Sequence, residues 1–462
     1  MSNTIQDIFS AQQVRSIQLR KSTVEERKAK LKKLKTIIAQ NESLIYEALA
    51  DDLRKPLFEA AITEVYFVYG EIDFALKNLS RWMLPKKAPA PLASISTRNR
   101  IHYEPKGVSL IISPWNYPFQ LLISPLVSAI AAGNCAVLKP SELSPATSKL
   151  LFNLINEHFD AAEIACVEGD AEVAQALLAL PFDHIFYTGS TQVGKIVMAA
   201  AAKHLASVTL ELGGKSPVLI TESAQLEKAA EKIVWGKFLN AGQTCIAPDY
   251  VLLPEHLQEK FIDLLKQKTA KLYQPKGNLD KTVYGKIISQ RHFDRLKALT
   301  DGAVKQGAKI QMGGDFETAD LTISPTVLSG VSLDSELMQE EIFGPVLPII
   351  TYRDLEEAVQ LINNRPKPLA LYIFGSEKVA NQVIKNTSAG GTAVNEVLIH
   401  ISNPHLPFGG IGTSGTGSCH GFYGFKAFSH ERSVMYQSAI DFNRMVYPPF
   451  NMGLLKWLKK LF

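Results

Sequence analysis

Cysteine is scarce, with four residues at positions 135, 166, 245 and 419 in a chain of 462. No two of them share the short spacing of a disulfide framework, and no Cys or His pairs occur at ligand spacing, so neither a disulfide scaffold nor a metal site is expected. Long apolar runs are missing as well. The most apolar stretch, 121–132, is broken by Ser124, Pro125 and Ser128 and falls short of the roughly 18 residues of a spanning helix. Excess charge of one sign is also absent, since 49 Lys plus Arg face 45 Asp plus Glu. A formal charge of +4 over this length offers no basic stripe for nucleic acid, and the lysines of 28–35 alternate with Leu at the spacing of a solvated helix face. The N-terminus lacks the basic and apolar regions of a secretory signal, so a reducing, cytoplasmic setting is expected. What remains is an ordinary globular composition, 46% hydrophobic and 20% charged, long enough for two or three domains.

Periodicity divides the chain. Ser22 and Glu25 have the spacing of a capping box, and apolar positions 31, 34, 37, 38, 45 and 49 recur at helical intervals, so the first eighty residues read as helix. After the prolines of 85–91, short apolar runs at 108–112, 136–138, 164–167, 184–187, 208–212 and 218–220 alternate with amphipathic stretches. Strand and helix in alternation mean an α/β fold with a parallel sheet covered on both faces. A second α/β series starts near residue 240, with strands expected at 250–253 and 346–351 and helices at 255–272 and 355–363.

Several residues have types suited to chemistry. Gly189, Ser190 and Gly194 follow an apolar strand and open a helix, where free N–H groups favour a phosphate; a plain strand-to-helix turn accounts for the glycines equally well. Lys139 and Glu142 close another strand at its carboxyl end, as ribose or phosphate contacts or as a surface turn. Cys245 stands among small and polar residues in GQTCIAP, where a thiolate can be reached, whereas Cys135 and Cys166 sit in apolar runs. Cys419 lies in a Gly-rich loop beside His420, and the spacing does not make that pair a catalytic one. Glu211 follows an apolar strand, where desolvation raises a carboxyl toward the range of a general base. Glu340 and Glu341 share that chemistry or merely cap a turn. Asn116, held between Pro114 and Pro118, is placed to aim an amide at an oxyanion.

In order, SPWNYPF, AIAAGN, KPSE, FYTGSTQVG, LELGGKSP, GQTC, EEIFGP and LPFGG resemble the aldehyde dehydrogenase superfamily over about residues 100–432. GQTCIAPDYVL, LALYIFG and HGFYGF leading into FSHERSV are similar to its class 3 branch of fatty, aromatic and coniferyl aldehyde dehydrogenases. The resemblance implies a Rossmann-type cofactor domain over 1–210, an α/β catalytic domain over 211–410 that carries Cys245, a returning segment over 411–462 that bridges subunits and ends in an amphipathic tail, and a homodimer. It implies Cys245 as nucleophile, Glu211 as general base, and Asn116 with the Cys245 N–H as oxyanion donors. It also implies NAD or NADP as cofactor. Lys139 and Glu142 would meet its adenosine ribose, and Gly189, Ser190 and Gly194 its pyrophosphate. Glu341 and Phe343 would meet its nicotinamide ribose, while Trp115 and Leu212 line the site. The activity implied is oxidation of aliphatic or aromatic aldehydes to acids through a thioester. The alternative is a silent binding or structural protein on the same scaffold.

The C-terminus departs from the long apolar tail of the family's membrane-bound members. FNMGLLKWLKKLF is too short to span, yet its Leu, Trp and Phe residues alternate with Lys456, Lys459 and Lys460. Such a tail lies on an anionic inner-membrane surface or packs on protein.

Overall fold

Residues 5–82 are almost wholly helical, in the segments Ile5–Leu19, Val24–Gln40, Glu42–Leu53, Leu57–Ala60 and Tyr66–Trp82, with a π-helical turn at Ala61–Val65. The capping box sits one residue beyond its expected place. Thr23 accepts the N–H of Glu26, and the Glu26 carboxylate accepts the N–H of Thr23. Ser22 is already engaged, donating to the Leu19 carbonyl of the preceding helix and accepting from Arg27. Leu31, Leu34, Ile37 and Ile38 are buried behind the cap, and Lys32 and Lys33 face outward. The computed structural model describes residues 4–91 and 94–459.

Three main sheets carry the rest. The first has six strands in the order Gly415–Thr416, Ser207–Leu212, His184–Gly189, Val108–Ile112, Cys135–Lys139 and Ile164–Cys166. All but the short Gly415–Thr416 strand run parallel. Their near-continuous apolar character follows from burial on both faces. Sequence order reverses between Val108–Ile112 and His184–Gly189, and at such a switch point the loops leaving the carboxyl ends diverge and open a crevice. The register aligns those ends, with Ile112 opposite both Lys139 and Tyr187, and Gly189 opposite Leu212.

The second sheet has seven strands, parallel except for the edge strand Lys309–Met312. It contains the expected strands as Pro217–Ile220, Tyr250–Pro254 and Val346–Tyr352. The helix expected at 255–272 begins as a 3₁₀ turn, Glu255–Leu257, before Gln258–Tyr273. The third is a three-stranded antiparallel sheet of Lys86–Ala88, Thr97–Pro105 and Ser429–Gln437. Beyond it the chain runs through the 3₁₀ turn Phe442–Val446 to the helix Met452–Leu458, leaving Phe442, Met445, Tyr447, Phe450 and Met452 exposed. Lys460, Leu461 and Phe462 of the expected tail lie outside the described residues. No helix among the described residues is long and apolar enough to cross a membrane.

The buried helix Gln120–Ala132 crosses behind the crevice and stops at Gly133, whose φ of 86° is left-handed. A Cβ there would lie 2.5 Å from the guanidinium of Arg27, which donates to the Ala131 carbonyl. Gly133→Ala is therefore expected to lose roughly 1–3 kcal/mol in denaturant unfolding. An unchanged midpoint would show that neither the backbone conformation nor the Arg27 contact matters.

Candidate active site

Two loops build the site. The first follows Val108–Ile112 and carries Pro114, Trp115 and Asn116; the second follows the helix Leu226–Phe238 and carries Cys245. They are tied directly. Asn116 Nδ2 donates to the Gln243 carbonyl at 3.0 Å, and Asn240 Nδ2 donates to the Asn116 carbonyl at 2.8 Å. Asn240 and Ala241 adopt left-handed φ near 51° and 52°, which turns the chain back sharply before Cys245. Gln243 is fully bonded inside, donating to Asn240 and Lys286 carbonyls and accepting from Ile288 N–H.

A cavity of about 250 Å³ lies at the switch point and is lined by nine of the expected residues: Trp115, Asn116, Gly189, Ser190, Glu211, Leu212, Cys245, Glu341 and Phe343. Three expected residues are not in its wall. Lys139 and Glu142 pair with each other at 3.2 Å at the end of their strand, and Lys139 also donates to the Pro140 carbonyl. Gly194 lies one turn into the helix Thr191–Ala202, where a Cβ would meet Leu212 at 2.7 Å, so its place is one of close packing. That helix starts at the cavity, with Ser190 capping the N–H of Val193.

A second cavity, of about 300 Å³, opens on the other side of Cys245 and is mostly apolar, with Phe67, Leu121, Trp235, Leu239, Ile246 and Phe408 in its wall. Cys245, Glu211, Thr188 and Leu121 belong to both cavities. The thiol and the carboxylate thus sit in the partition between a polar chamber and an apolar one.

Electrostatics in this partition are set by dehydration. Burial pushes the Glu211 carboxyl up to about 8, and neither of its oxygens has a hydrogen-bond partner; the nearby Cys419 thiol works weakly in the opposite direction. Burial also pushes Glu341 up to about 8, against the Gly214 N–H. Its carboxylate lies where a Cβ on residue 213 would come within 2.0 Å, so the space needs Gly213. The Cys245 thiol is pushed up to about 12 by burial and the two carboxylates, with its own N–H and that of Ile246 acting in the opposite sense. The Cys245 thiol is thus raised rather than lowered, because burial, Glu341 and Glu211 all disfavour the thiolate. Glu340, by contrast, faces solvent 3.6 Å from Arg295.

Other residues complete the site. Arg295 reaches from the helix Gln290–Lys305 to the carbonyls of Glu341 at 3.2 Å and Ile342 at 2.5 Å. Trp115 stacks edge-on with His292 and Phe343, at centroid distances of 4.9 and 5.4 Å. Lys215 and Asp249, paired at 2.5 Å, hold the segment before Phe343 through Leu337, Glu340 and Ile342. Cys419 and His420 enter the apolar chamber, and His420 is buried against Glu71 at 3.5 Å. Among the described residues no group of three or more His, Cys, Asp or Glu is placed to hold a metal ion.

The polar chamber fits a dinucleotide on its own terms. It has a helix N-terminus for phosphate, an aromatic wall in Trp115 and Phe343, and the buried Thr188 hydroxyl and Glu211 carboxylate unpaired at its floor. The apolar chamber fits an organic substrate with little to hydrogen-bond.

Comparison with known proteins agrees. A profile described as the aldehyde dehydrogenase family matches residues 3–434. The 4,4'-diaponeurosporen-aldehyde dehydrogenase of Staphylococcus aureus is 45% identical over 455 residues, covering 98% of this chain and 96% of the relative. The dimeric NADP-preferring aldehyde dehydrogenase of Mus musculus is 44% identical over 450 residues, covering 97% and 96%. Among solved structures, the substrate-bound state of Staphylococcus aureus AldH superposes with a TM-score of 0.94 at 44% identity, covering 99% of both chains. A silent binding protein on this scaffold is not favoured by these matches. The chain belongs to the aldehyde dehydrogenase family, with that family's α/β fold and its NAD(P)-dependent oxidation of aldehydes.

Proposed function

We propose that Cys245 is the nucleophile, Glu211 the general base, and Asn116 with the Cys245 N–H the oxyanion donors. The observation that carries this reading is the position of Cys245 and Glu211 in the wall shared by the two chambers. An aldehyde carbon holds its hydrogen too tightly to release it as hydride until a nucleophile has made it tetrahedral. Cys245 attacks from the partition as its thiolate, the thiol proton having passed to solvent. Asn116 Nδ2 spends one N–H on Gln243, which leaves its second for the developing oxyanion. A bound NAD or NADP would supply the hydride acceptor that lets the thiohemiacetal collapse to a Cys245 thioester. The resulting Cys245 thioester is released by water that Glu211 deprotonates, from a site dry enough to keep the carboxylate reactive.

Gly189, Ser190 and Gly194 at the start of the helix Thr191–Ala202 would hold the pyrophosphate, with Lys139 and Glu142 at the adenosine ribose. Glu341, Phe343, Trp115 and Leu212 would hold the nicotinamide riboside. The apolar chamber supports medium- or long-chain aliphatic and aromatic aldehydes as substrates, and the carotenoid-aldehyde name of one relative points the same way. A homodimer follows the printed name of the mouse relative. For the tail, the exposed Phe450, Met452 and Leu455 beside Lys456 and Lys459 support weak contact with an anionic membrane surface.

Three measurements test these assignments. With hexanal, decanal and benzaldehyde, and with NAD and NADP separately, Cys245→Ala should form no reduced cofactor. Glu211→Gln should release one equivalent per site and then stall; steady turnover by either variant removes that residue from its role. Because a raised carboxyl becomes a base only above its pKa, kcat, which includes thioester hydrolysis, should climb with pH through about 8. A profile flat from pH 6 to 9 contradicts Glu211 as the base. Finally, deletion of residues 453–462 should abolish co-sedimentation with anionic vesicles while leaving a dimer in solution; unchanged co-sedimentation disposes of the membrane contact.

A further inference from the structure

Behind the loop that carries Asn116 lies a buried charge pair that the mechanism does not use. Lys55 and Glu64 meet at 2.6 Å with both side chains fully shielded from solvent. Lys55 sits in the break between the helices Glu42–Leu53 and Leu57–Ala60, and Glu64 in the π-helical turn Ala61–Val65. A π turn inserts a residue and re-aims the side chains around it, and such turns are frequent at functional sites. Burying two charges costs several kcal/mol per ion, so the pair is poor evidence for stability in itself. What its remaining bonds hold is more informative.

Those bonds end on one segment. Lys55 Nζ donates to the backbone carbonyl of Asn116 at 3.1 Å and stands 4.0 Å from the centroid of the Tyr117 ring. Glu64 Oε2 accepts the N–H of Gln120 at 2.8 Å, at the first residue of the helix Gln120–Ala132, where a negative charge is favoured. The loop from 116 to 120 is thus gripped at both ends by the two halves of one ion pair. The grip extends to the nucleophile's own loop. Asn240 Nδ2 shares the Asn116 carbonyl with Lys55 and also reaches the Gln243 carbonyl at 3.2 Å, while the Tyr117 hydroxyl meets the hydroxyl of Thr244 at 2.7 Å. Thr244 directly precedes Cys245.

We propose that Lys55, with Glu64 as its counter-ion, is a positioning residue for the oxyanion site: it fixes the backbone of Asn116 so that the Asn116 amide and the Cys245 N–H converge on one point. A preorganised donor loses its effect when it moves by a fraction of an ångström, and an ammonium held rigidly in a dry interior restrains a carbonyl better than water would. The inference rests on the role proposed for Asn116.

The test uses the full-length enzyme with single-turnover formation of reduced cofactor, NAD titration, alkylation of Cys245 by iodoacetamide, and thermal melting. Asn116→Ala is expected to slow the chemical step by about 10²–10³-fold. Lys55→Met should slow it by about 10- to 100-fold, with NAD affinity and Cys245 alkylation within twofold of wild type. Lys55→Met/Glu64→Gln removes the stranded charge, so it should recover melting temperature without recovering rate. Lys55→Met should add nothing on top of Asn116→Ala, because the one acts through the other. Recovery of rate together with melting temperature, or effects that multiply, would overturn the proposal. Should the methionine variants not fold, Lys55→Arg keeps the charge but displaces the carbonyl and should be at least about fivefold slower; a wild-type rate there is equally fatal. If Asn116→Ala itself is fast, the Asn116 assignment falls; if it is slow while the Lys55 variants are fast, only the positioning role falls.

Discussion

Everything at the candidate site depends on one junction, where a loop from the first sheet is hydrogen-bonded to a loop from the second. Asn116 and Asn240 exchange side-chain amides for backbone carbonyls across it, at 3.0 Å to Gln243 and 2.8 Å to Asn116. Neither loop could satisfy these groups alone, and a buried unpaired amide or carbonyl is costly. The two sheets are therefore locked in the relative position that puts Cys245 beside Glu211. The chambers on either side follow from that placement, since the partition between them is made of Cys245 from the second loop, Leu121 from the helix that follows the first, and Thr188 and Glu211 from the ends of two strands.

Dehydration is the second consequence. The same burial that lifts Glu211 and Glu341 up to about 8 makes every donor aimed into the partition stronger, because little water competes for it. Backbone strain gathers in the same place. Asn240, Ala241, Phe343, Leu398 and His420 all adopt positive φ without being glycine, and each lies at the site or in a chamber wall. Conformations of that kind cost about 1–3 kcal/mol apiece and persist only where surrounding structure over-determines them. Here the paired loops, the Lys215 and Asp249 clamp and the packed sheets supply the determination.

Much of this was legible in the sequence. The parallel strands were visible as apolar runs, because burial on both faces leaves little room for polar residues. Five of the eight short motifs, SPWNYPF, KPSE, FYTGSTQVG, LELGGKSP and GQTC, fell on the carboxyl ends of strands and on the two loops, while AIAAGN ends the helix Gln120–Ala132, EEIFGP precedes the strand Val346–Tyr352 and LPFGG lies in a separate loop. Other features were not legible. Thr23 displaced Ser22 as the cap because the end of the previous helix had claimed the Ser22 hydroxyl. The contact a Cβ on Gly194 would make with Leu212, and the pairing of Lys139 with Glu142, are recorded by no local pattern. Arg295, His292 and Lys55 have no motif around them.

The sequence by itself determined the α/β architecture and the family, and it pointed to the groups proposed to do the chemistry, because those depend on local periodicity and on residue types at fixed short spacings. Only the tertiary structure decided that the Cys245 thiol is raised rather than lowered, that Glu211 stands unpaired between two chambers, and that a buried Lys55 holds Asn116. The physical reason is that dielectric environment and hydrogen-bond partnership are set by residues far apart in the chain. Asn116 meets Gln243 across 127 positions, and no local pattern records that encounter.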